Sequence, residues 1–245
     1  MKKLVILSVL VGLFSACTKD QLLEEIDTSK NNGKILSKVQ YWNNNTKTAT
    51  TTTELIFAGN DIKEVKLYKT DGTIWYTYNK IEASNGRVSK IEGTLAPNNT
   101  AVTWEFKYDA TGKIIESKKV EGPNSKTYYF TYDANGRVAS STNDDASLEY
   151  IYEGSAKNPS SIKEFNNYTF STSTIQYKYD SKKNPYTNAP FFLFYMNNGE
   201  FFENNVTEVI RPGLTIKYNY EYNQADFPLT KRAADTGGGL NFVYQ

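Results

Sequence analysis

"KYDATGKIIESKK" at Lys107–Lys119 and "TYDANGRVASSTN" at Thr131–Asn143 say nearly the same thing twice, and that repetition decides how the chain is read. Tyr108-Asp109 aligns with Tyr132-Asp133, and Gly112-Lys113 with Gly136-Arg137. Working outward, copies align through Gly33, Asn60, Gly86, Gly112 and Gly136, then through Asn158, Asn184 and Asp226. The spacings are 27, 26, 26, 24, 22, 26 and 42 residues. All but the last fit one unit of two strands and two turns, the mark of an internal repeat.

Strand parity says what the unit does, because side chains two apart share a face. Trp104, Phe106 and Tyr108 lie on one face; Thr103, Glu105 and Lys107 lie on the other. Tyr128, Phe130 and Tyr132 repeat the pattern, as do Leu148, Tyr150 and Tyr152, and then Ile175, Tyr177 and Tyr179. Ile74, Tyr76 and Tyr78, and Ile216, Tyr218 and Tyr220, complete six strands with one aromatic face. Asn-Gly at 85–86, 135–136 and 198–199, and Asp-Gly at 71–72, supply the positive φ that tight hairpin turns need. In the returning strands Leu36 and Val39, Ile62 and Val65, Val88 and Ile91, and Ile162 and Phe165 stand three apart instead of two. A bulge in each would account for the offset and would bend the sheet. The expected fold is all-β: a long antiparallel meander of repeated hairpins in a strongly curved sheet, open or barrel-like, with one short helical insertion. That insertion, at about 186–206, concentrates Phe191, Phe192, Phe194, Tyr195, Phe201 and Phe202, and its spacing predicts a short helix near Pro190–Met196. It reads as a plug over one end of the sheet, or as a lid over a ligand site.

The amino terminus has the three zones of a bacterial secretory signal: Lys2-Lys3, the apolar run Leu4–Leu13, and small residues before Cys17. The apolar run is too short to span a bilayer. Residues 1–16 are expected to be a lipoprotein signal peptide, 17–33 a lipidated cysteine and polar tether, and 34–245 a single repeat domain. The local pattern Leu13-Phe14-Ser15-Ala16-Cys17 resembles a lipobox, with Phe14 where that pattern usually has Leu, Val or Ile. A solitary cysteine in an oxidising compartment has no disulfide partner, so Cys17 reads as an anchor. Thr18-Lys19-Asp20 resembles the charged export tags of Bacteroidota lipoproteins.

The "YDATGK" and "YDANGR" units resemble the YD repeats of Rhs-type proteins. With the signal sequence, "YKYDSKKNPY" at 177–186 and "FFENNVTEV" at 201–209, the chain is similar to Bacteroidota lipoproteins with degenerate YD-like repeats. That resemblance covers about residues 34–245. It implies a β-rich protein of the cell envelope, at the outer membrane and facing either the periplasm or the outside, and it carries no catalytic residue across.

Composition narrows the chemistry. Histidine is absent, which removes the commonest general base and metal ligand. Loss of Lys2 and Lys3 with the leader moves the formal charge from +1 to −1, too little basic charge for nucleic-acid binding. No cofactor and no metal are expected. Paired carboxylates for a glycosidase are nearest at Asp144-Asp145 and at Glu200 with Glu203, and "DANG" at Asp133 resembles only the opening of a calcium loop. Asp109, Asp133 and Asp180, each following a tyrosine, read as turn residues. The aromatic face reads mainly as core. Trp42, Trp75 and Trp104 are the candidate ligand-binding rings, Trp75 by a parity opposite to Tyr76. The expected function is a non-enzymatic, lipid-anchored envelope protein binding a glycan, peptide or protein partner through its curved sheet. The alternatives are an accessory subunit of an envelope complex and a carboxylate-dependent glycosidase.

Overall fold

The computed structural model describes residues 35–59, 61–84, 87–186 and 202–245. Sixteen strands follow one another: β1 (Leu36–Asn43), β2 (Thr48–Ala58), β3 (Asp61–Tyr68), β4 (Ile74–Ser84), β5 (Arg87–Leu95), β6 (Thr100–Tyr108), β7 (Ile114–Glu121) and β8 (Asn124–Tyr132). The second half comprises β9 (Val138–Thr142), β10 (Ala146–Ile151), β11 (Ser161–Asn166), β12 (Ser171–Lys183), β13 (Asn204–Arg211), β14 (Leu214–Tyr222), β15 (Pro228–Ala233) and β16 (Gly239–Tyr244). Each pairs antiparallel with its sequence neighbours, and β1 pairs with β16, so the meander closes into a barrel. Closure leaves no strand edge. The expected helix, the expected tether and Cys17 lie outside the described residues.

The predicted aromatic face is the inside. Tyr76, Tyr78, Trp104, Phe106, Phe130, Tyr150, Ile175 and Tyr177 are buried in a single core with Val39, Leu55, Val65, Val102 and Ile162. Many outward positions are charged, and they pair across the rungs: Lys107 with Glu116 at 2.9 Å, Lys178 with Glu208 at 3.2 Å, Lys80 with Glu92 at 2.6 Å and Lys38 with Glu54 at 3.1 Å. A wall facing hydrocarbon would be apolar, since a Lys or Arg there costs roughly 2–4 kcal/mol at the midplane. The described wall carries these ion pairs outward and turns its main apolar cluster inward.

Bulges produce the three-residue spacing, as the sequence suggested. The register slips by one residue at Ser37 in β1, Lys63 in β3 and Ser89 in β5, so both members of Leu36/Val39 and Val88/Ile91 are buried, and Ile62 packs on the core with Val65. The same slip recurs at Ile115, Ala139, Thr207 and Leu229. Two expectations fail. β11 pairs with β10 and β12 without a slip, so Phe165 points outward and meets Phe170 at 6.5 Å between ring centroids. A further slip at Trp75 turns Ile74 out of the aromatic face and leaves it exposed.

Gly93 shows how tightly bulged strands approach. It faces Tyr78 beside the slip at Asn79, and a Cβ there would collide with the Thr77 carbonyl and the Tyr78 Cα. Both are backbone atoms that cannot rotate away. Gly93→Ala is expected to destabilise the barrel by about 1–3 kcal/mol in urea unfolding.

Candidate functional site

Consecutive hairpins put alternate turns at opposite ends. The near end holds the turns at 109–113, 133–137 and 223–227, together with Ile35 and Gln245, which exchange backbone hydrogen bonds. The far end holds the turns at 44–47, 69–73, 96–99 and 167–170.

The near end explains the repeated signature. In the first two turns the backbone N–H of the aspartate and that of the glycine close a five-residue loop, with Gly112 at φ 90° and Gly136 at φ 80°. Asp109 Oδ1 accepts the Thr111 N–H at 2.8 Å, the Thr111 hydroxyl at 2.7 Å and the Lys113 N–H at 2.9 Å. Those bonds, led by the Lys113 N–H, hold its carboxyl below the usual range. Asp133 does the same for Asn135 and Arg137, and Asn223 for Ala225 and Phe227. Asp180 departs from the pattern: it accepts the Lys182 N–H at 2.9 Å but also binds Asn205 and the Tyr222 hydroxyl.

The tyrosine of each signature reaches back to the preceding hairpin. Tyr108 donates to the Val88 carbonyl at 2.6 Å, Tyr132 to Ile114 at 2.8 Å and Tyr152 to Val138 at 3.0 Å. Tyr179, Tyr220 and Tyr244 reach Pro159, Val206 and Pro228 in the same way. Five of these six acceptors directly precede a bulged residue, where the ladder is interrupted. Burial pushes the Tyr108 and Tyr152 phenols up to about 12, so they remain donors at neutral pH. The basic residue just before the acceptor covers the same ring: Arg87 over Tyr108 at 5.7 Å, Lys113 over Tyr132 at 5.0 Å and Arg137 over Tyr152 at 4.1 Å. Gly112 and Gly136 leave room for Arg87 and Lys113, which a Cβ would meet. Each of the tyrosine, aspartate, glycine and basic residues of the Tyr-Asp-x-x-Gly-Lys/Arg unit therefore has a structural task at the near end. Tyr186 and Phe202 pack at the same end, on Phe242 at 6.4 Å and on Tyr177 at 5.1 Å.

The far end is different, because several of its partly exposed inward side chains are charged. Register places Lys119 opposite Trp104 and Lys126, and Glu121 opposite Val102, all on the inner face. Glu121 Oε2 accepts the Tyr76 hydroxyl at 2.9 Å and lies 2.5 Å from Lys119 Nζ. Lys119 Nζ also donates to the Tyr76 hydroxyl at 3.3 Å and sits 4.9 Å from its ring centroid. Burial works against the Lys119 ammonium, yet its bonds to Glu121 and Tyr76 prevail and hold its pKa above the ordinary value. Lys119 in turn holds the Glu121 carboxyl below the usual range. Lys126 lies 5.5 Å from the Tyr128 ring centroid and pairs with Asp145, whose other oxygen accepts the Tyr168 hydroxyl at 2.7 Å. Trp104 and Tyr128 stack at 6.1 Å.

The three candidate tryptophans do not meet. Trp104 lies in the core at 7% exposure. Trp75 is 46% exposed, but its ring lies 4.8 Å from that of inward Tyr76, so the slip at Trp75 overrides the parity that set the two on opposite faces. Trp42 faces outward and lies under the Arg232 guanidinium at 5.4 Å. Trp75→Ala gives up the contact with Tyr76 and is expected to cost about 0.5–1.5 kcal/mol in urea unfolding. Among the carboxylate candidates, both oxygens of Asp145 are engaged, Glu203 pairs with Lys157 at 3.0 Å, and Glu200 lies outside the described residues. Asp133 Oδ1 serves its own turn and Oδ2 binds Arg137 at 2.6 Å. Among the described residues no group of three or more potential metal ligands comes together. Reading the sequence missed Lys119, Glu121 and Lys126. For Lys119 and Glu121 the signal was parity counted from Ser117, hidden by the bulge at Ile115; for Lys126 it was parity with Tyr128 and Phe130.

No family model matches the chain, and no curated protein matches it. Solved structures do. A porin-like protein from Bacteroides uniformis is 12% identical, with 87% of this chain and 98% of that chain covered and a TM-score of 0.49. The Tc holotoxin pore of Photorhabdus luminescens is 12% identical over 79% of this chain and 13% of that chain, with a TM-score of 0.26. Likenesses this distant carry no argument about activity.

Proposed function

We propose that this is a non-enzymatic protein of the bacterial cell envelope, anchored by lipid on Cys17, that binds a ligand at the far-end mouth of its barrel. One observation carries the binding half: the inward charges of Lys119, Glu121 and Lys126 stay partly exposed at that end, whereas the described inward tyrosines of the opposite end turn their hydroxyls onto backbone carbonyls. The anchoring half is supported by the small residues before Cys17 and by the absence of a second cysteine. A glycan suits the mouth better than an extended peptide, because peptides commonly add to a sheet edge and the closed barrel has none. Binding of the intact protein to a glycan array, with no turnover of the bound sugar, is the expected result. Blank arrays would count against the binding half, and mass spectrometry showing an unmodified Cys17 on the exported protein would count against the anchor.

A second reading, an accessory subunit of an envelope complex, is favoured by the β11–β12 hairpin tip. There Tyr168 and Phe170 are 70% and 79% exposed, with Phe165 beside them. Exposed aromatic clusters of this kind commonly mark contact sites. Co-purification of one stoichiometric partner from membranes, lost on Phe170→Ser, would favour this reading.

A further inference from the structure

We infer that the far-end mouth takes a sugar bearing a single carboxylate, held between Lys119 and Lys126. The inference rests on the mouth being the binding site. Lys119 and Lys126 face each other across one rung of β7 and β8, both on the inner side. Like charges directly opposite on a sheet repel. Each also meets a carboxylate, Lys119 at Glu121 and Lys126 at Asp145, so a ligand acid between them would share each ammonium, through its remaining N–H donors, with that protein partner. A carboxylate in that gap would accept from both lysines at once, the charge-assisted arrangement that binds most strongly. Three features point to a sugar as the body carrying the acid. The gap lies inside a closed wall, with no edge for a peptide strand. The Tyr76 hydroxyl stands within bonding reach of Lys119 and Glu121, beside the gap, where a polyol finds donors and acceptors together. Finally, Lys119 and Lys126 lie over the rings of Tyr76 and Tyr128, leaving those faces poor platforms for a neutral sugar and making charge the means of recognition.

Trp104 supplies the readout, because it pairs with Lys119 across β6–β7 and stacks on Tyr128. The full-length lipidated protein in detergent, carrying Trp42→Phe and Trp75→Phe, has Trp104 as its only tryptophan. Its emission would be titrated at low salt with glucuronate oligosaccharides, neutral glucose oligosaccharides and a glutamate-rich hexapeptide. Saturable binding of the uronate is expected, weakened about tenfold or more by Lys119→Gln or Lys126→Gln. Lys126→Arg should retain it, and Lys107→Gln on the outer wall should leave it unchanged. Circular-dichroism melts of each variant separate lost binding from lost folding, and the retained affinity of Lys126→Arg supports the assignment even if a Gln variant unfolds. Equal binding of the neutral sugar, indifferent to both lysines, would overturn the clamp and leave the mouth as a binding site. Preference for the peptide would overturn the sugar assignment. No saturable binding of any probe would remove the clamp together with the reading it rests on.

Discussion

Replacing Tyr108, Tyr132 and Tyr152 together by Phe is expected to cost about 3–6 kcal/mol, taking about 1–2 kcal/mol for each buried carbonyl left without its donor. The three hydroxyls tie four consecutive hairpins together through the carbonyls of Val88, Ile114 and Val138, at the points where bulges interrupt the ladder. Phenylalanine keeps the ring under Arg87, Lys113 and Arg137, so the variant isolates the hydroxyl from the cation contact. A domain's whole stability is roughly 5–15 kcal/mol, so the urea midpoint should fall steeply. A triple variant within about 1 kcal/mol of the parent would mean that water satisfies these carbonyls and that the latch is incidental.

The second large effect tests which side of the wall is dry. Ile162 in β11 is 2% exposed between Tyr150 and Ile175, whereas Gln176 in β12 faces outward and is exposed. Ile162→Asp buries a carboxyl among apolar neighbours and is expected to cost more than about 4 kcal/mol, enough to prevent folding. Gln176→Asp should change stability by no more than about 0.5 kcal/mol. The reverse order of costs, or equal costs, would show that the strands had been assigned the wrong face.

Much of this fold was legible because its signals are local and repeated. Parity placed Tyr76, Trp104, Phe130 and Tyr177 on one face, and three-residue spacing announced bulges in β1, β3 and β5. The same spacing misled at Ile162 and Phe165, because β11 runs in unbroken register and spacing alone does not distinguish a bulge from an outward ring. Asp109 and Asp133 were readable as turn residues, since an aspartate bonding its own turn needs nothing from elsewhere in the chain. The tyrosine hydroxyls raised a question that sequence did not answer. Their acceptors lie 14 to 20 residues away, on carbonyls that only the pairing register brings near. The mouth was missed for a related reason, since Lys119 and Lys126 become neighbours only once β7 and β8 are aligned. Barrel closure depends on β1 meeting β16 across the whole chain, and no local pattern encodes that.

Closure is also the claim most directly open to measurement. Gln40 and Asn241 are partners on the β1–β16 rung, adjacent to the inward pair Val39 and Phe242. In a Cys17→Ser background, Gln40→Cys with Asn241→Cys should form an intramolecular disulfide rapidly under mild oxidation, because cross-strand Cα atoms about 4.5–5.5 Å apart fall within disulfide reach. The pair Thr174→Cys with Lys163→Cys, opposite one another on the adjacent strands β11 and β12, calibrates the rate. Closure predicts comparable yields from both. Cross-linking of the control pair while the first two cysteines stay reduced would contradict it and leave an open sheet.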